Sequence, residues 1–202
     1  MIVRGPYTEG VGYPQIKKLL DFALRSFGNE FDLFFNKAEW AKKCVFEYNE
    51  RALVGLLNNA IIRHSDEYCT FQEYHVYERD QQVLGRADLL VVHNDFDLLF
   101  EAKKWEYDGR EYADINGLFK EPREQLVKYY EAEKSYFRKG QTFLSVLIFE
   151  YVAEDYLKNL KKQYGGNKAV PEKGVDFDAF YATEHNGLMV YGHVFQPGDG
   201  AT

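Results

Sequence analysis

The spacing of apolar and polar positions divides the chain into stretches with helix and strand periods. Ile16, Leu19, Leu20, Ala23 and Phe27 recur at three-to-four spacing, which predicts an amphipathic helix over 16–27. A shorter helical stretch is expected near Ala38 to Cys44. From about Val45 to Ile62, the residues Leu53, Leu56, Leu57, Ala60 and Ile61 form a second apolar helix face. Asn49 is its expected N-cap, with Glu50 in the first turn, although the helix could equally begin several residues earlier. Cys69 to Glu78 carries the strand formers Phe71, Tyr74, Val76 and Tyr77. Two more strands are expected at Arg86 to Val92 and Asp97 to Lys103, joined through His93, Asn94, Asp95 and Phe96.

Residues 109–117 read as an acidic, irregular connection. Pro122 then suits the first turn of a helix running to about Arg138. Thr142 to Val152 reads as a long buried strand. Glu154 to Gln163 reads as a helix stopped by Gly165 and Gly166. Leu188 to Phe195 is a further strand, and Pro197 to Thr202 a frayed end. The order helix, strand, strand, strand, helix, strand, with extra helices at each end, predicts an α/β or α+β fold with helices packed on a central sheet. The 202 residues suffice for one domain spanning 1–202, with its core at about 45–152, and leave little room for a second.

Composition changes this picture in three places. A net charge of -7 argues against a module that simply coats nucleic acid, because phosphate neutralisation needs basic surface. It argues less against a site of clustered carboxylates, where bound cations invert the local sign. The aromatic share of 17% is explained first by a Phe- and Tyr-rich core, with stacking on bases as the functional alternative. Cys44 and Cys69 belong to no CxxC or Cys/His cluster, so free thiols in a reducing cytoplasm are expected rather than zinc. The N-terminus lacks a long apolar run, and no stretch approaches the roughly 18 apolar residues of a membrane span. The five histidines, His64, His75, His93, His185 and His193, show no metal-ligand spacing.

The candidate chemistry lies between Gly85 and Lys104. A symmetric turn centred on Asn94 and Asp95 would place Leu90 opposite Leu99, Asp88 opposite Glu101 and Arg86 opposite Lys103. Arg86, Asp88, Glu101 and Lys103 would then share one face and one end. Ala87, Leu89, Val91, Leu98, Phe100 and Ala102 would form an apolar opposite face against a helix. Two facing carboxylates repel, and a cation between them removes that cost. Mg2+ prefers oxygen ligands and keeps several waters. A lysine two residues after the second carboxylate projects to the same side, where it could serve the attacking water. The alternative is a structural salt bridge at the end of a half-exposed hairpin.

Asp88 followed by Glu101-Ala102-Lys103 resembles the signature of the PD-(D/E)xK nuclease superfamily, and the expected element order resembles its restriction-endonuclease-like core. Ala87 stands where the signature has proline. The resemblance implies a Mg2+-dependent nuclease, with Mn2+ as a substitute ion, and Asp88 and Glu101 as metal ligands beside a catalytic Lys103. It implies a metal-assisting acid on the first core helix, which Glu50 fits, with Glu47 as substitute; a helix-terminal acid complementing the dipole is the alternative. Gln125 and Tyr129, four apart on the next helix, resemble the Q-x-x-x-Y element that positions substrate in exonuclease branches. Arg86 and Lys104 flank the centre and could contact phosphate. The implied partner is nucleic acid, DNA first, with no membrane and with a homodimer as an open alternative to a monomer. A nuclease-fold subunit without turnover is the competing expectation.

Overall fold

The computed structural model of the chain describes residues 6, 8, 10–37, 50–63, 66–77, 82–106, 115–151, 178–182 and 188–198. Pro14, whose fixed φ suits a first helical turn, opens helix α1 at Pro14–Lys37. The helix runs past its expected end at Phe27 because the apolar stripe continues through Phe31, which is buried with Ile16, Leu19, Leu20, Ala23, Leu24 and Phe27. Helix α2, Glu50–Ile62, buries Leu53, Val54, Leu57, Ala60 and Ile61. Leu56, expected on that face, is only partly covered. The two helices pack together on one face of the sheet. Truncating the fully buried Phe27 to alanine removes about 3–5 kcal/mol from this layer.

The strands are β1 (Cys69–Tyr77), β2 (Val83–Val92), β3 (Asp97–Glu106), β4 (Thr142–Tyr151), β5 (Ala179–Ala182) and β6 (Leu188–Phe195). Between β3 and β4 lie a single turn α3, Ile115–Leu118, and helix α4, Lys120–Glu133. The α3 turn falls within the stretch expected to be irregular, and α4 stops short of Arg138. The six strands form one sheet in the order β1-β2-β3-β4-β6-β5. Among the described residues, only β3 and β4, joined through α4, pair in parallel; the other neighbours are antiparallel. This is the expected α/β architecture with a mixed open sheet. Strand β5 had no counterpart in the sequence reading, and the stretches expected near Ala38 to Cys44 and Glu154 to Gln163 lie outside the described residues.

Helix α4 covers the second face. Phe119, Leu126 and Tyr129 pack there on Leu90, Leu99, Leu144, Val146 and Ile148. Glu133, buried at the end of α4, accepts the Tyr74 hydroxyl at 2.7 Å and the Tyr77 N–H at 2.9 Å, which ties the edge strand to the helix. At the far end of the hairpin, buried Asp97 accepts the Arg138 N–H at 3.2 Å. The Arg138 guanidinium donates to the carbonyls of His93 and Asn94 and so holds the turn.

The β2–β3 register follows the expected turn. Leu89 pairs with Phe100, Leu90 with Leu99, Val91 with Leu98 and Val92 with Asp97. The ladder ends there, so the expected continuation to Asp88–Glu101 and Arg86–Lys103 is corrected. From that point β2 stays with β1, where Arg86 pairs with His75, and β3 stays with β4 as far as Glu106. The sheet forks at Asp88 and Glu101.

A second correction concerns Ala87. It packs on the α4 side with Leu90, whereas Leu89 packs on the α1–α2 side. Simple alternation would put Ala87 with Leu89. Strand β1 changes face at the same level. Gln72 lines a cleft beside α2, while Tyr74 packs toward α4. Between them Glu73, across from Asp88, adopts a left-handed backbone at φ 53°. That conformation costs a non-glycine residue on the order of 1–2 kcal/mol. It supplies the half-turn that redirects the side chains.

Candidate functional site

The fork leaves backbone donors of both strands without ladder partners. A buried amide left unpaired costs about 1–3 kcal/mol, so the vacancies must be filled. Side chains fill three of them. Asp88 Oδ2 accepts the Ala102 N–H at 2.7 Å. Glu50 Oε2, reaching from the start of α2, accepts the Lys104 N–H at 3.1 Å. The Tyr129 hydroxyl accepts the Arg86 N–H at 3.1 Å from the other branch. The first two residues were expected to be metal ligands. Here they also hold the opened edge of β3.

Glu101 points into this fork and is 2% exposed. Its Oε1 accepts Lys103 Nζ at 3.2 Å. Among the described residues, its buried Oε2 has no hydrogen-bond partner. Burial, and then the Asp88 charge, push the Glu101 carboxyl up to about 7 despite Lys103. Burial likewise raises Asp88 and Glu50 above the usual carboxylate range. Burial pulls the Lys103 ammonium down, but Glu101, Glu50 and Asp88 outweigh it and hold it above its ordinary value. The cluster therefore holds three acids around one cation and carries excess negative charge.

Among the described residues, no group of three or more His, Cys, Asp and Glu side chains is arranged to hold a metal ion. Glu50 spends one oxygen on the Lys104 amide, as Asp88 does on the Ala102 amide. Two carboxylates whose charge is poorly solvated, one with an unpartnered buried oxygen, do fit an ion that takes few protein ligands and several waters. Asp88 and Glu101 would hold it.

The structure brings Glu50, Asp88, Glu101 and Lys103 together at the fork. Glu47 lies outside the described residues. Gln125 and Tyr129 meet each other: Gln125 Nε2 donates to the Tyr129 hydroxyl at 2.6 Å. Tyr129 is buried and packs against Gly85, where an added Cβ would stand 2.2 Å from its hydroxyl. Tyr129 thus anchors α4 to β2, while Gln125 remains partly exposed at the branch. Arg86 lies on the same branch, and its guanidinium pairs with Glu73 at 3.1 Å.

Sequence reasoning missed Glu73 and Arg51. Arg51 Nε lies 2.9 Å from Glu73 Oε1. An acid within a strand and an arginine on a helix carry no motif, and only a positive φ marks Glu73 as unusual. Among the described histidines, His193 Nδ1 lies 3.4 Å from Asp178, and its ring meets Phe119 edge-on at 4.3 Å. His93 stacks on Phe96 beside the turn. No protein-family model matches the chain, and comparison with curated proteins and with solved structures gave no match.

Proposed function

We propose that the chain is a Mg2+-dependent nuclease that hydrolyses phosphodiester bonds in DNA, with a restriction-endonuclease-like core. The observation that carries this reading is the fork in the sheet. It gathers Asp88, Glu101 and Lys103 at one point and leaves a buried Glu101 oxygen there without a hydrogen-bond partner among the described residues. The order α2-β1-β2-β3-α4-β4 in a mixed sheet is consistent with such a core.

In this reading Asp88 and Glu101 hold the cation, and Glu50 fixes the β3 backbone beside them. Bound Mg2+ would supply Lewis-acid polarisation of the phosphate and a more acidic attacking water. Lys103, held charged by three carboxylates, orients that water and offsets charge developing on the phosphate. Glu101, whose carboxyl burial and the Asp88 charge push up to about 7, would give up its proton to hold the cation. Gln125 and Arg86 face the incoming strand, and Tyr129 holds Gln125 in place. The expected compartment is the cytoplasm, with the exposed Cys69 thiol kept reduced. Among the described residues, no helix is long and apolar enough to cross a membrane.

A cleavage assay in Mg2+ and in EDTA tests the proposal. Wild type should cut DNA only with the metal, and Lys103→Ala should lose at least about a hundredfold, the scale of one positioned proton-transfer or charge-stabilising group. Equal cleavage by both would sink the assignment. The net charge of -7 favours a second reading, a nuclease-fold subunit without turnover. Calorimetry detecting neither Mg2+ nor Mn2+ binding would favour that reading instead.

A further inference from the structure

A cleft of about 200 Å3 opens beside Asp88 on the α2 side of the sheet, lined by Arg51, Val54, Gln72, Glu73 and Asp88. Glu73 joins two guanidiniums at this place. Its Oε1 lies 2.9 Å from Arg51 Nε on α2, and its Oε2 lies 3.1 Å from Arg86 Nη1 on β2. The carboxylate reaches both because position 73 is where β1 changes face, at φ 53°. One carboxylate neutralises one guanidinium, so the trio keeps a net positive charge next to Asp88. Each guanidinium has five N–H donors in a planar fork and spends one nitrogen on Glu73. The Arg51 contact is close without the alignment of a hydrogen bond, so it restrains the group without saturating it.

Ion pairs this exposed contribute little to stability, and a left-handed glutamate in a strand works against it. Strain of this kind concentrates at ligand sites. The chemistry that matches paired planar donors is an anion with several acceptor oxygens, phosphate above all. With a net charge of -7 the chain as a whole repels DNA. The two guanidiniums instead offer oriented N–H donors beside the reactive carboxylates, while Asp88 offsets their remaining charge.

We propose that Arg51 and Arg86, pre-aligned by Glu73, form a subsite for a DNA backbone phosphate adjacent to the scissile one. This rests on the nuclease reading above and extends it. Arg51 and Arg86 touch substrate, and Glu73 is a positioning residue that acts through them.

The test measures binding of a short fluorescein-labelled DNA duplex by anisotropy across a salt series, in Mg2+ and on the non-cleaving Lys103→Ala background. The Arg51 side chain is exposed, at 64%, and that of Arg86 half-buried, at 36%, with neither in the core, so alanine variants keep the fold. Arg51→Ala and Arg86→Ala should each lower the slope of log affinity against log salt by about 1, and the double variant by about 2. With Lys103 intact, Glu73→Gln should keep that slope but raise KM roughly threefold to tenfold at unchanged kcat, the signature of lost pre-alignment. A chain that binds and cleaves DNA while Arg51→Ala keeps the wild-type slope and KM overturns the subsite and leaves the nuclease reading standing. A wild-type KM in Glu73→Gln overturns the positioning role. A wild type that neither binds nor cleaves DNA removes both proposals.

Discussion

Asp88 Oδ2 accepts the backbone N–H of Ala102 at 2.7 Å, so one carboxylate both belongs to the candidate reactive centre and replaces a missing rung of the sheet. The two strands part at that point, and on β3 the ladder hydrogen bonds are exchanged for bonds to the Asp88 and Glu50 carboxylates. Such bonds are stronger than neutral ones, which is how an open fork can persist inside a folded sheet.

This double role separates two substitutions. Asp88→Asn keeps an oxygen that can accept the Ala102 amide and removes a charge that repels Glu101. It should be as stable as wild type, or more so, in EDTA. Asp88→Ala leaves the amide unpaired and should be less stable than Asp88→Asn by about 1–3 kcal/mol. Both should abolish cleavage. Urea unfolding with EDTA present checks the order, and equal stability of the two variants would remove the structural role.

The Glu101 carboxyl titrates near 7 in the folded chain, against an ordinary value of 4.5. Between those values the folded chain holds a proton that the unfolded chain has released. Stability contributed by this group is therefore complete below about pH 4.5 and declines as pH rises toward 7. The loss is on the order of 3 kcal/mol at most. Glu101→Gln has no such proton and should flatten this part of the profile. Thermal unfolding of both proteins in EDTA from pH 5 to 8 is the measurement, and identical profiles would remove the assignment.

Mg2+ should reverse that loss. A cation held by Asp88 and Glu101 needs both ionised, so its binding releases a proton below about pH 7 and tightens as pH rises through that value. Added Mg2+ should raise the Tm of wild type more at pH 8 than at pH 6. It should have little effect on the Asp88→Asn, Glu101→Gln double variant. A shift of the same size in wild type and double variant would place the ion elsewhere.

Gly85 is required by the close approach of Tyr129. An added Cβ would stand 2.2 Å from the hydroxyl and 2.7 Å from two ring carbons. The ring is buried and its hydroxyl is fixed by Gln125 and by the Arg86 amide. Gly85→Ala should cost about 1–3 kcal/mol, typical of overpacking. Adding Tyr129→Phe should not rescue it, because the ring carbons remain in the way. Recovery in the double variant, read by chemical denaturation, would show that the hydroxyl alone sets the clash.

Much of the frame was legible in the chain. The apolar stripe from Ile16 to Phe27, the face of Leu53, Leu57, Ala60 and Ile61, and the run Thr142 to Tyr151 are local patterns with helix or strand period. The turn through Asn94 and Asp95 fixed the pairing of Leu90 with Leu99 because the two flanking strands are apolar on both faces. Alternation failed at Ala87 for a reason no local pattern carries: Glu73, on a neighbouring strand, turns left-handed and both strands change face together.

The candidate site divides along the same line. Asp88, Glu101 and Lys103 were identifiable as a short motif on two adjacent strands, although alternation breaks across Asp88 and the ladder stops before it. Glu50 was legible as an acid opening a helix, but not as the acceptor for the Lys104 amide. Arg51 and Glu73 were invisible, since their proximity to Asp88 comes from packing α2 against β1 and β2. The sequence by itself determined most of the helices and strands of the frame, though not β5, and which charged residues lie near the turn-distal end of the hairpin. Only the tertiary structure decided that β2 follows β1 and β3 follows β4 beyond Leu89 and Phe100. A strand's partner beyond a fork is chosen by the whole sheet and its two helical layers, through contacts remote in sequence.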